Sequence, residues 1–215
     1  MAIFALKRSP DGTITPFNPP DAGTVPGSYQ GTYPAIFAGI NPAGASVGEY
    51  LDSSYVWHSY LRDPTGYFTE FDPTDVQGSG TLGINPAGEI AGWYFDTTPA
   101  FHGYVRAPDG TITKFDAPGA GTGQYQGTNA CWIIVCFGGI NPAGTVAGFY
   151  VDDNNVYHGY VRTPEGEFST FEAPGAGKGA WQGTQPAAIN PEGAITGYYT
   201  DKKNAVHGFV RLATP

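Results

Sequence analysis

Basic residues are scarce in this 215-residue chain: ten Lys and Arg stand against nineteen Asp and Glu, and only 13% of the residues are charged. With a formal charge of -9 and a pI near 4.7, it lacks the electrostatic footprint of a nucleic-acid or anionic-membrane binder. No apolar run approaches the ~20 residues that a membrane-spanning helix needs. The opening residues Met1 to Arg8 place Lys7 and Arg8 after the apolar ones, the wrong order for a signal peptide. No Gly-x-Ser-x-Gly, Walker or HExxH signature is present. Cysteine is nearly absent as well. Cys131 and Cys136 have a four-residue gap between them, which is not the CxxC spacing of a zinc ribbon or redox motif. Two readings of the pair stand, a small disulfide loop or two reduced buried thiols.

Turn residues and aromatics are plentiful, with 32 Gly, 19 Pro and 31 aromatic side chains. So much Gly and Pro argues against an all-helical domain, the glycines have no collagen period, and 40% hydrophobic content is enough to bury a core. One all-β domain spanning residues 1–215 fits.

Internal repetition decides the architecture. Ile-Asn-Pro-x-Gly recurs with its Asn at 41, 85, 141 and 190, giving periods of 44, 56 and 49 residues. Seven positions after each Asn comes Gly48, Gly92, Gly148 or Gly197, and nine after it Tyr50, Tyr94, Tyr150 or Tyr199. Eleven positions on are Asp52, Asp96, Asp152 and Asp201, seventeen on His58, His102, His158 and His207, and twenty-one on Arg62, Arg106, Arg162 and Arg211. Each repeat reads as four short strands, a to d: a ends at Ile-Asn, b is Gly-x-Tyr-x-Asp, c is His-Gly-Tyr-Val-Arg, and d follows a Pro-x-Gly turn. Repeats of this length, with small residues before each Ile-Asn, predict a β-propeller of four blades, each of four antiparallel strands. The N-terminal Arg8, Pro10, Gly12 and Phe17 match Arg106, Pro108, Gly110 and Phe115, so the closing blade is expected to be shared between the two ends of the chain. If the b–c turn is centred, the Tyr at +9 pairs with the Gly at +18.

The motifs His207-Gly208-Phe209 and Ile189-Asn190-Pro191-Glu192-Gly193-Ala194-Ile195-Thr196-Gly197 resemble the bacterial extracellular HAF-type repeat family. The resemblance covers nearly the whole chain. It implies a secreted or surface-exposed β-repeat protein and no particular reaction.

The a–b and c–d turns are short and uniform, whereas the b–c turns and d–a connections vary and collect aromatic and polar residues, so binding is expected on the latter face. Candidates there are Trp57, Phe101 and Tyr157, with Tyr29-Gln30, Tyr125-Gln126 and Trp181-Gln182 from the aromatic-Gln-Gly-Thr elements. A flat ring beside an amide suits the apolar face and hydroxyls of a sugar, making a glycan or other small polar ligand the expected partner. The competing reading has the rings lock one repeat to the next while Gln caps loop backbone.

The four His could ring a metal, and Asp152 and Asp153 have the oxygen density for calcium. A structural role for both sets is the simpler reading, so no cofactor is expected. A His, Tyr, Arg strand face suits a polysaccharide lyase, yet four copies argue against one catalytic centre. Symmetry breaks at Pro34–Phe37 and at Cys131–Cys136 with Trp132, which mark either a unique site for a lyase or hydrolase or a homodimer contact. A structural, oligomerising surface protein is a further alternative.

Overall fold

The structure, a computed structural model, describes residues 3–9, 11–25, 27–34, 39–129 and 137–213, and among these every regular element is a β-strand. A hairpin of β1 (Ala5–Arg8) and β2 (Ile14–Phe17) comes first. The first repeat is β3 (Gly31–Pro34), β4 (Ser46–Leu51), β5 (Trp57–Arg62) and β6 (Phe68–Phe71), and the second is β7 (Gly78–Ile84), β8 (Ile90–Phe95), β9 (Phe101–Arg106) and β10 (Ile112–Phe115). In the third, strand a is divided into β11 (Gly127–Thr128) and β12 (Gly139–Ile140), followed by β13 (Val146–Val151), β14 (Tyr157–Arg162) and β15 (Phe168–Phe171). The fourth has β16 (Gly183–Ile189), β17 (Ile195–Thr200) and β18 (Val206–Arg211). Within each repeat successive strands pair antiparallel.

The anchor motif forms the expected turn in all four copies. Each Asn carbonyl accepts the N–H of the Gly three residues on, at 2.9, 3.0, 3.0 and 3.0 Å, and each of these glycines takes φ between 83° and 89°. Each Asn Oδ1 also accepts the backbone N–H four residues on, which holds the turn closed. The Asn amides do more. Asn41 Nδ2 donates to the Asn85 carbonyl (3.4 Å), Asn85 to Asn141 (3.2 Å) and Asn141 to Asn190 (3.5 Å), so the turns form a ladder across repeats.

Two expectations are corrected. The Tyr at +9 pairs with His, not with Gly: Tyr50↔His58, Tyr94↔His102, Tyr150↔His158 and Tyr199↔His207. The b–c turn is thus one residue off the assumed centre, and each Tyr ring lies on its His ring at 4.8–5.1 Å. Second, strand a begins at the Gly of Gln-Gly-Thr. Gly127 and Gly183 adopt φ of 104° and 116° and form single parallel bridges to Phe101 and Tyr157 of the preceding repeat. A Cβ on Gly127 would lie 2.1 Å from the Phe101 carbonyl oxygen, so only Gly permits this approach. Pro34 therefore ends the first part of a strand a, and Cys131 to Cys136 follow the first half of another, outside the described residues.

No closed ring is found among the described residues: β2 pairs only with β1, and β18 only with β17. The hairpin is held at the front of the array by the parallel bridge Ile3↔Gly31, so β1 takes the strand-c place before the first repeat.

One joint recurs between repeats. The strand-d Phe of each unit meets the strand-c ring of the next: Phe17–Tyr60 (6.4 Å), Phe71–Tyr104 (6.3 Å), Phe115–Tyr160 (6.2 Å) and Phe171–Phe209 (6.1 Å). The Arg at +21 lies over the same Phe, with Cζ 4.7–5.0 Å from its centroid. Tyr60, Tyr104 and Tyr160 are fully buried in these joints.

Candidate functional site

The conserved histidines begin strand c and are gripped from two sides. His158 Nδ1 lies 2.5 Å from Glu172 Oε1 and its Nε2 3.2 Å from Asp152 Oδ2. His102 sits between Asp116 (2.9 Å) and Asp96 (3.8 Å), and His58 between Asp72 (2.7 Å) and Asp52 (3.7 Å). The hydrogen bond that His158 donates to Glu172, and His102 to Asp116 in the second repeat, holds these imidazoles above their ordinary pKa against the opposing effect of burial. His207 keeps only its strand-b carboxylate, Asp201, at 3.1 Å.

Each strand-d carboxylate also reaches the next repeat. Glu172 Oε2 accepts from Thr184 Oγ1 at 2.7 Å, Asp116 from Thr128 at 3.4 Å, and Asp72 from Ser79 at 2.5 Å. The two places where the first pair of repeats departs from the pattern meet here, since Ser79 Oγ is 2.5 Å from Ser59 Oγ, which is 3.0 Å from Tyr104 Oη. Each strand-b Asp caps the b–c turn: Asp152 Oδ1 accepts from the N–H of Asn154 (2.9 Å) and of Val156 (2.8 Å). Although burial opposes it, the Val156 bond and its companions bring the Asp152 carboxyl below its usual range.

Around His158 these parts enclose a cleft of about 550 Å³ between the third and fourth repeats, lined by Asp152, Asn154, Glu172, Lys178 and Ala180 among others. Its walls are a b–c turn and a d–a connection, the face on which binding was expected, and its volume falls in the range of small-molecule sites. Among the described residues no group of His, Cys, Asp and Glu is arranged to hold a metal ion. Asp153 is exposed beside the cleft, and its Oδ1 accepts from Thr122 N at 3.4 Å.

The candidate binding residues divide into two sets. Gln30, Gln126 and Gln182 turn their amides inward. Their Nε2 atoms donate to Ser53 O (3.1 Å), Asn155 Oδ1 (3.0 Å) and Asn204 Oδ1 (2.7 Å), and Oε1 of Gln126 and Gln182 accepts loop N–H groups. Trp57, Phe101 and Tyr157 are half-buried against Tyr33 (5.1 Å), Trp93 (5.8 Å) and Phe149 (5.6 Å). The aromatics that precede Gln behave differently. Tyr29, Tyr125 and Trp181 are 75%, 38% and 46% exposed, and their φ values are 59°, 66° and 63°. A bulky side chain in this left-handed region costs roughly 1–2 kcal/mol. Three equivalent loops thus hold an exposed ring in a strained backbone. Trp181 follows Ala180, which lines the cleft, and its N–H is donated to the Asn155 carbonyl at 2.6 Å. Trp132, Cys131 and Cys136 lie outside the described residues.

The His, Tyr and Arg groups of the lyase reading are each engaged in the fold: His by carboxylates, the strand-c Tyr inside the joints, and Arg on the preceding Phe. Sequence reading missed the His partners, although Asp72, Asp116 and Glu172 recur thirty-one positions after Asn41, Asn85 and Asn141. It also missed Glu49, which stands at +8 where the other copies have Trp93, Phe149 and Tyr198. Glu49 is buried and accepts the Thr81 N–H at 3.3 Å. Burial pushes its pKa up to about 8, while the Thr81 N–H and the nearby Trp93 indole oppose the rise.

A comparison with protein-family models and with curated protein sequences finds no match to this chain.

Proposed function

We propose that the chain is a secreted, multivalent binding module whose repeats present glycan-binding sites on the face built from b–c turns and d–a connections. The observation that carries this reading is the set Tyr29, Tyr125 and Trp181, equivalent rings kept exposed in strained left-handed backbone. Strain retained at matching, solvent-facing positions is a functional signature, because folding alone would favour Gly or Asn there. An exposed ring offers the apolar face that sugars stack on, and the polar cleft beside Trp181 supplies carboxylate, amide and ammonium partners for hydroxyls. Repeated shallow sites gain strength through avidity. In this reading the repeats act as blades of a four-bladed propeller-type ring, and small-angle scattering of the free protein separates a closed disc from an open array.

The binding test is a glycan-array screen followed by calorimetry on a hit, using the wild-type protein and Trp181→Gly. Wild type is expected to bind more than one ligand per chain. Trp181→Gly should lower the stoichiometry yet unfold within about 1 kcal/mol of wild type, because relief of the backbone offsets the lost ring contact. Silence across the array, or a Trp181→Gly protein that binds as wild type does, overturns the reading.

A further inference from the structure

The three aromatic loops are alike in backbone and unlike in what anchors them. The connection bearing Trp181 starts at Glu172 and the one bearing Tyr125 at Asp116, and both carboxylates are held by a strand-c His. The connection bearing Tyr29 starts at Asn18, and the residue in the strand-c His position of the hairpin is Phe4. Asn18 Oδ1 still accepts from the next repeat's hydroxyl, Thr32 Oγ1, at 2.5 Å. The inter-repeat hydroxyl contact is therefore common to all three loops, and the ionisable clamp is present in only two.

We propose that the Trp181 and Tyr125 platforms are proton-gated through their His–carboxylate clamps, and that the Tyr29 platform is not. This rests on the binding reading above and names a regulation of the same sites. The mechanism follows from the number of imidazole protons. An imidazolium has two N–H groups and can hold a carboxylate at each, whereas the neutral ring has one and must release a partner.

In the third repeat the groups facing His158 are Asp152 from the b–c turn, Glu172 from the connection, the stacked Tyr150 from β13, and Lys178 across the cleft. Glu172 holds the nearer nitrogen, at 2.5 Å against 3.2 Å for Asp152, so Asp152 is the partner released. Asp152 opens the turn that contains Asn155, and the Asn155 carbonyl accepts the Trp181 N–H. Losing the His158 proton thus unfastens one side of the turn on which the strained Trp181 backbone rests.

In the second repeat Asp116 and Asp96 flank His102, Tyr94 stacks on it, and Lys114 Nζ lies 4.9 Å from the Tyr94 centroid. Thr98 Oγ1, 3.3 Å from His102 Nε2, is a neutral substitute partner there. The Tyr125 gate should accordingly be the weaker of the two.

The clamps hold below the ordinary imidazole pKa of 6.5 and are lost as pH rises through the raised values of the folded protein. The platform is preorganised in the lower range, and a bound sugar should be held about fivefold to tenfold more weakly at pH 9 than at pH 6 where Trp181 is used, the scale of one typical net hydrogen bond.

The experiment is ¹⁹F NMR of ligand-free protein labelled with 5-fluorotryptophan. The Trp181 resonance is assigned by its loss in Trp181→Phe, and a Tyr29→Trp variant supplies a reporter on the unclamped loop. The Trp181 resonance should shift across a midpoint above pH 6.5, and the shift should vanish in His158→Phe, a side chain that Phe4 shows the same strand position to accept. His158→Gln is the second variant, and either must keep the wild-type pattern of the buried Trp93 resonance to count as folded. The Tyr29→Trp resonance should stay flat. A flat Trp181 resonance from pH 5 to 9, or a transition that persists in a folded His158 variant, overturns the proposal. A transition that appears as described in a protein that binds no glycan sustains the gate and defeats the glycan reading, so the two failures are distinct.

Discussion

The second and fourth repeats carry the same motifs and are held very differently. Asn85 is buried in the turn ladder, and Asn190 is exposed at its end. Tyr104 is fully buried, with Oη 3.1 Å from the Gly80 carbonyl and 3.0 Å from Ser59 Oγ, whereas Phe209 is only partly buried. On β18, Val206 and Val210 are exposed, while the strand-c Val105 and Val161 are partly covered by the following repeat. Stability in such an array comes from neighbours more than from the motif itself, as in any repeat protein where interface terms dominate. A conserved residue therefore has no single energetic value along the chain.

Aromatic truncation should break this comparison most strongly. Tyr104→Ala is expected to cost about 3–5 kcal/mol, as for large buried aromatics, and Phe209→Ala about 1–2 kcal/mol. Denaturant melts of the two variants check this, and equal costs would mean that the end repeat is as well supported as the inner one.

The next effect concerns the buried acid in the first repeat. The Glu49 pKa of about 8 lies above the ordinary carboxyl value of 4.5, so the folded state binds the extra proton between these values. Stability should fall as pH rises across that window and level off above it, by a few kcal/mol at the outer limit. Glu49→Gln should flatten this decline and leave the acid side unchanged. Thermal melts from pH 4 to 10 measure it, and an identical alkaline slope in the variant would show that the carboxyl is already ionised in the fold.

The smallest contrast is in the ladder. Asn85→Ala loses the cap on Glu89 N and the rung to Asn141, for about 1–2 kcal/mol. Asn190→Ala loses only its cap on Ala194 N, for about 0.5–1 kcal/mol. Chemical denaturation of both proteins resolves the difference.

Much of the strand layout was legible because repetition supplied four readings of each position. The Asn-Pro-x-Gly turns, the Asp caps and the division of loops onto two faces all depend on bonds within a few residues, which spacing reveals. The Tyr–His register was not legible, since a slip of one residue exchanges the facing Gly for His and nothing local sets the centre of the turn. Asp72, Asp116 and Glu172 recur visibly, yet their role appears only when strand d folds back beside strand c. For the candidate site, Tyr29, Tyr125 and Trp181 stood out as aromatics, but their strain was invisible, because backbone sign is a property of the closed loop.

The amino-acid sequence by itself determined the all-β class, the repeat unit and its turns, because these follow from local geometry and from apolar patterning at fixed spacing. Only the tertiary structure decided which copy of each motif is buried, which His is clamped on both sides, and that the N-terminal hairpin is bridged to the first repeat. Those outcomes depend on contacts between residues up to 56 positions apart, such as His158 to Glu172, 14 apart, and Asn85 to Asn141, for which the chain carries no local signal.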